Sequence, residues 1–228
     1  MMNGQTALEQ GIVTNPSANN AECYFITGST ASIGNGIGHA DSTQVSINNK
    51  VYTFNEDGKR AINYRGMENP WGNLWQMIGG VNIYGAGAEV GGEPYICTNY
   101  NYTVGQIGEN YESLGFNLPA TNKWLNAMGL GKEKYDWVFM PIECSQYANS
   151  LLPIGDSIWS TNGLNGINIL ASGGSYGFGE ECGPFYYAVD RDVTNSSRPN
   201  YGAKLMYIPT KNSIYEANIA KWNTYMEG

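Results

Sequence analysis

An α+β fold of short strands, many turns and few helices is what three features of this chain predict. Its apolar runs are short and separated by turn residues, its turn formers are abundant, and cap signals bound only a few helical candidates. Strands that do not alternate regularly with helices argue against βαβ units and a parallel sheet. Gly numbers 30 and Tyr 17 in 228 residues, while charged residues make up only 14%, well under the roughly 25% of an average soluble domain. This is the vocabulary of a loop-rich protein with a polar, uncharged surface, and Tyr, Ser, Gly and Asn are also what adaptable binding surfaces use.

Taken in order, residues 1 to 22 form a polar, turn-rich lead-in or arm, 23 to 210 the domain, and 211 to 228 a tail. In the tail Ile214, Ala217, Ile219, Ala220 and Trp222 suit a short helix. Cys23 to Thr27 is a strand candidate, and 28 to 41 is a Gly- and Ser-rich loop. Gln44–Ile47 and Lys50–Phe54 alternate with period two around Asn48-Asn49, which predicts a hairpin. In Asn69-Pro70-Trp71-Gly72-Asn73-Leu74-Trp75, Asn69 can cap and Pro70 can open a helical turn, and the spacing of Trp71 and Trp75 puts both rings on one face. Further strands are expected at 78 to 83, in a hairpin of 95 to 98 with 100 to 104, at 135 to 140 with Pro141 ending it or marking an edge, at 167 to 171, at 184 to 189 and at 204 to 208. A helix is expected over 122 to 128, capped by Thr121 and ended by Gly129. The stretch from Cys144 to Asn168 reads as irregular chain wrapping the surface.

Three segments occur in an order that carries a resemblance. Arg65-Gly66-Met67-Glu68-Asn69-Pro70-Trp71-Gly72-Asn73-Leu74-Trp75 resembles the Gly-Asn-x-Trp motif of formylglycine-generating-enzyme-like domains and of the C-type-lectin-fold domains in phage tail, fibre and head-fibre proteins. Tyr135-Asp136-Trp137-Val138-Phe139-Met140-Pro141-Ile142-Glu143 resembles their hydrophobic strand with a trailing Pro. Gly173-Gly174-Ser175-Tyr176 and Asn200-Tyr201-Gly202-Ala203-Lys204-Leu205 resemble their closing elements. The likeness covers residues 60 to 208 and looks closest to the phage branch.

The resemblance implies a C-type-lectin-like fold, a small twisted antiparallel sheet with long loops, whose ligand-facing surface lies between the Gly-Gly-Ser bend and the last strand. In some phage members a retroelement diversifies that region. On this chain the surface would comprise Tyr176, Phe178, Glu180, Glu181, Tyr186, Tyr187, Asp190, Arg191, Asp192, Asn195 and Arg198. If Tyr186 and Tyr187 lie on a strand they point to opposite sides, so one of the two belongs to the core. The structural motif would be Arg65, Gly66, Glu68, Asn69, Trp71, Gly72, Asn73, Trp75, Gly173, Gly174, Ser175 and Gly202. The implied role is non-catalytic recognition of a bacterial surface glycan or protein by a virion fibre or tail. The alternative is a virion decoration protein whose aromatic patch joins subunits. Other virion proteins and a homotrimer are the partners this suggests, and a virion component reaches the outside by host lysis.

Chemistry is sparsely signalled. A net charge of −8 and a pI near 4.6 oppose nucleic acid and anionic membranes as partners. The N-terminal stretch has neither a positive region nor an apolar run, and no window approaches a membrane span. The single histidine, His39, excludes most zinc and triad patterns, and its Gly-x-Gly-x-Gly neighbourhood lacks the Lys-Ser/Thr of a phosphate loop. Cys23, Cys97, Cys144 and Cys182 are too scattered for a disulfide framework.

An enzyme of the formylglycine-generating type would need a cysteine pair, for which Cys182 and Cys144 are the nearest substitutes, and Glu180 and Glu181 beside Cys182 oppose a thiolate. Glu143, Asp156, Glu180 and Glu181 are the carboxylates from which a glycan-cleaving pair would be drawn. No Asp-x-Asp-x-Asp-Gly calcium loop is present, so no cofactor is expected, and a structural calcium ion stays open.

Overall fold

The structure, a computed structural model, describes residues 25, 28–34, 36–39, 43–47, 49–54, 61–64, 66–86, 91–97, 99, 101–103, 105–145, 156–160, 165–176, 178, 181–192 and 200–204. Among them are fourteen strands: Gly38–His39 (β1), Thr43–Ile47 (β2), Lys50–Phe54 (β3), Ile62–Tyr64 (β4), Met67–Glu68 (β5), Trp75–Ala86 (β6), Glu93–Cys97 (β7), Tyr111–Ser113 (β8), Lys123–Leu130 (β9), Phe139–Ser145 (β10), Ser157–Trp159 (β11), Asn165–Ser172 (β12), Tyr187–Asp192 (β13) and Tyr201–Gly202 (β14). Two single 3₁₀ turns, Ala31–Ile33 and Glu133–Tyr135, accompany the strands. The described residues are therefore mostly β with very few helices, which is consistent with an α+β or β fold.

One nine-stranded sheet organises the molecule, in the order β10-β9-β11-β13-β12-β6-β7-β8, with β14 beside the start of β6. All its pairs are antiparallel except β11 with β13 and β14 with β6. The β2–β3 hairpin forms as the Asn48-Asn49 signal predicts, with Asn49 at φ +64, and β1, β4 and β5 make a small separate sheet. Side chains of successive residues face opposite ways, and both faces are covered. Ile83, Leu125, Met140, Ile158, Leu170 and Val189 belong to one core; Trp75, Ala171, Cys182, Tyr186 and Ala188 form the other.

Several local expectations give way to sheet pairing. Residues 123 to 128 of the expected helix lie in β9, and Asn122 just precedes it. Leu125 is fully buried, and β9 hydrogen-bonds to β10 on one side and β11 on the other. The side-chain oxygen of Asn122 accepts from the N–H of Ser160 at 2.6 Å, fastening the end of β11. Pairing on both edges outweighs helix preferences worth a few tenths of a kcal/mol per residue.

Residues 69 to 74 run as a series of bends, not a helical turn. Trp71 meets Tyr64, with centroids 6.0 Å apart, while Trp75 enters the second core. The expected partner strand at 100 to 104 is irregular where described, and β7 pairs with β6 and β8 instead. The strand expected from Tyr135 begins at Phe139, after the 3₁₀ turn, and runs on through Pro141. Pro141 is tolerated because β10 ends the sheet order, where a missing N–H breaks no ladder. The stretch from Cys144 to Asn168 contains β11 and the start of β12.

Strands at 78 to 83 and 167 to 171 fall within β6 and β12, and that at 184 to 189 begins later, at Tyr187. The lead-in, the tail and 205 to 208 lie outside the described residues, as does all of the 23 to 27 candidate except Phe25.

Candidate functional site

The first and the closing segments that carry the resemblance meet in space. The N–H of Gly72 donates to the carbonyl of Gly173, Tyr176 N–H to the Asn73 carbonyl, Gly173 N–H to the Tyr186 carbonyl, and Trp75 N–H to the Asn200 carbonyl. Gly173 sits at φ +91, and a Cβ there would come within 2.8 Å of the Pro70 carbonyl oxygen, so only glycine lets the two bends close on each other. Asn73 is buried and acts as a surrogate strand: its side chain accepts from the N–H of Phe25 at 2.8 Å and donates to the Phe25 carbonyl at 3.1 Å. The Asn69 side chain accepts from the N–H of Ile62 at 3.0 Å and donates to the Ser29 hydroxyl at 3.2 Å. The Glu68 carboxylate gathers the backbone N–H groups of Gly28 and Thr30 and the Thr30 hydroxyl, each at 2.9 Å. Gly66 turns at φ +79, Ser175 accepts from the Asn200 side chain, and Gly202 packs beside Leu74; Arg65 lies outside the described residues.

This knot presents a ring cluster. Trp75 is fully buried, with Tyr186 at 4.7 Å and Phe178 at 5.5 Å in edge-to-face contact, and Tyr201 stacked at 6.4 Å. Phe178 also meets Trp159 at 6.2 Å. Trp159 is 37% exposed and Phe178 half-buried, so the cluster opens to solvent at that end.

Beside Phe178 in the chain stands Glu181, whose carboxylate accepts from the Lys123 ammonium at 2.7 Å and from the Tyr186 hydroxyl at 3.1 Å. Lys123 has φ +127, a conformation that side chains other than glycine's rarely adopt and that persists only where the surroundings hold it. Burial first, and then the Glu181 carboxylate, push the Tyr186 phenol far above its ordinary range, so it remains a neutral donor.

The expected ligand surface is only partly a surface. Tyr176 and Tyr186 are 2% and 0% exposed and belong to the interior. Tyr187 points the other way, packs on the first core, and has its phenol pushed up to about 12 by burial and then by Asp156. The expectation that one of the two is core is thus exceeded, because the sheet is covered on both faces. Asp190, half-buried, and Arg191 and Asp192 lie in β13, while Glu180, Asn195 and Arg198 lie outside the described residues. Phe178 and Glu181 stay at the open end and are joined there by Lys123 and Trp159, which sequence reasoning missed. The signal for Trp159 was present in Ser157-Ile158-Trp159, a β-prone triplet hidden in a stretch rich in breakers.

Neither nearby thiol is prepared for nucleophilic chemistry. Burial drives Cys182 far above its usual value, Glu181 adds to this, and its thiol donates to the Ser175 carbonyl at 3.3 Å. Burial also raises Cys144, which donates to the Thr121 carbonyl. Of the carboxylates, Glu143 is exposed on β10 and accepts from Asn126, and Glu181 is engaged by Lys123. Among the described residues no three His, Cys, Asp or Glu side chains gather as a metal site, and no helix is long and apolar enough to cross a membrane.

Burial also displaces Asp156. Burial lifts it from 3.8 to about 6 against the stabilising N–H of Phe185, which donates at 2.6 Å. Since the folded-state value lies above the unfolded one, the folded chain binds the proton more tightly. Stability is highest on the acid side of this window and falls as pH rises from about 4 to 6, by roughly 2–3 kcal/mol. Urea midpoints at pH 4.5 and 6.5 should show Asp156→Asn lacking that part of the wild-type decline. An identical pH dependence in both proteins would show that Asp156 does not titrate this way.

No family model matches the chain, and neither a curated protein nor a solved structure matches it.

Proposed function

We propose that this chain is a non-catalytic recognition domain, a C-type-lectin-like module of a phage fibre or tail that binds a bacterial surface glycan or protein. The fold name and the virion setting rest on the order of the three motif segments, and contact between the first and the closing ones supports reading them as one unit. One observation carries the binding role: the half-exposed Trp159–Phe178 ring pair beside the Lys123–Glu181 ion pair, with the backbone at Lys123 held in a conformation lysine disfavours. Rings offer area at low entropy cost, and the ion pair offers direction. Strain in a residue that folding alone would not place there is how binding sites are commonly marked.

A second reading, a decoration protein joined through an apolar patch, is favoured by a different observation. Leu130 (63%), Trp137 (67%), Phe139 (40%) and Ile142 (38%) are exposed on and before the edge strand β10 and its neighbour β9, where Leu130 stands opposite Phe139. An unpaired edge with apolar side chains is a template for association.

The two readings separate in one experiment, with fluorescently labelled protein applied to a panel of gut and environmental bacteria. Trp159→Ala should lose strain-selective binding at least tenfold while melting within a few degrees of wild type, and Trp137→Ala should bind normally. Binding to no strain, with a wild-type oligomer that Trp137→Ala dissociates in sedimentation, would transfer the function to the edge patch.

A further inference from the structure

A separate surface lies on the loop between β7 and β8. Opposite it, β6 swells out of register: Ile169 pairs with Asn82 but Leu170 with Ile78, leaving Gly79, Gly80 and Val81 unmatched on that side. The ring of Tyr102 occupies the space those glycines leave. A Cβ on Gly79 would lie 2.8 Å from three atoms of the ring and hydroxyl, and one on Gly80 would lie 3.5 Å from the ring. One side of the ring is thus seated on bare backbone, yet Tyr102 remains 48% exposed.

The loop is fixed by carboxamides. Buried Asn82 donates to the carbonyls of Gln106 at 2.7 Å and Thr103 at 3.5 Å, and Tyr111 donates to Thr103 at 3.1 Å. Asn99 accepts from the Asn101 N–H at 3.0 Å and donates to Asn110 at 2.9 Å. A ring that served only to fill the strand's gap would be covered. This one is seated on backbone and left half exposed, beside the exposed residues Asn101 and Gln106.

We propose that Tyr102 is the platform of a second binding site, specific for neutral carbohydrate. A pyranose has an apolar C–H face that packs on an aromatic ring and an equatorial rim of hydroxyls that need donors and acceptors in turn. Carboxamides supply both without charge. The described loop residues between 99 and 110 include one acid, Glu109, and no base, on a chain of net charge −8, which disfavours anionic sugars. Because the loop is already fastened by its own hydrogen bonds, little ordering remains to oppose binding. This site involves none of the residues at the Trp159 end and stands or falls separately from it.

The test is amide NMR of the full chain titrated to millimolar concentration with maltohexaose, cellohexaose, mannohexaose and chitohexaose in turn. At least one should shift the signals of Gly79, Gly80, Tyr102 and Gln106 saturably. Tyr102→Ala should then raise Kd at least tenfold and Tyr102→Phe less than threefold. Gly79→Ala, which drives the ring from its seat, should weaken binding like the first, with its remaining spectrum reporting that the sheet is intact. No shift at those amides with any of the four sugars, shifts that survive Tyr102→Ala, or shifts confined to Lys123, Trp159 and Phe178 would each overturn the Tyr102 site. The last of these would leave the Trp159 face as the sugar site.

Discussion

Trp75→Ala is expected to lower folding stability by about 3–5 kcal/mol, the range for removing a large aromatic side chain from a core. Trp75 is completely buried and is the ring around which Phe178, Tyr186 and Tyr201 are arranged. Alanine would leave a cavity that the flanking β12 and β14 backbones are not free to fill, because both are hydrogen-bonded to β6 at this point. The edge-to-face contacts, each worth about 0.5–1.5 kcal/mol beyond area burial, would go with it.

Trp75→Phe should cost distinctly less. The indole N–H is buried with no hydrogen-bond partner among the described residues, so phenylalanine keeps a ring in the cluster and removes a donor whose desolvation nothing repays. Urea denaturation of the three proteins measures both differences. A loss below about 1 kcal/mol for alanine, or equal losses for alanine and phenylalanine, would contradict this account of the core.

Much of the sheet could be read from the chain because the signals were local. Asn48-Asn49 between two alternating runs sufficed for the β2–β3 hairpin, and the crowding of Gly and Asn among tryptophans around Trp71 marked the knot. That the Asn73 and Asn69 side chains would accept from the N–H groups of Phe25 and Ile62 was not legible, since their partners lie up to 48 residues away.

The 122 to 128 stretch shows the converse. Its capping pattern is genuine as a local preference, but Asn122 is claimed by Ser160 and Leu125 by the core. Of the side chains expected on a ligand-facing surface, Tyr176, Tyr186 and Tyr187 are taken up by the cores. Proximity in sequence grouped the three in one candidate surface, with one of Tyr186 and Tyr187 expected in the core, whereas the two-sided packing of β13 and the fold of the Gly173–Ser175 bend take all three inward. Lys123 and Trp159, 36 positions apart, come to the open end only through β9 and β11 pairing.

The proposed recognition role makes its sharpest demand on Lys123. This residue holds Glu181 from the far side of the ring cluster, and the ion pair is partly exposed, with 44% and 19% of the two side chains accessible. Such a pair contributes at most about 1 kcal/mol to folding. Glu181 keeps the Tyr186 hydroxyl as a donor if the ammonium is removed. Lys123→Met, which preserves the aliphatic stem, should therefore melt within a few degrees of wild type.

If the pair and the adjacent rings are what a bacterial surface ligand contacts, the same variant should lose most of its binding. The deciding measurement is the apparent affinity of labelled wild type and Lys123→Met for whichever strain of the panel binds wild type best. A drop of tenfold or more in a folded Lys123→Met protein is the predicted result; unchanged affinity would contradict the assignment of this face to ligand recognition.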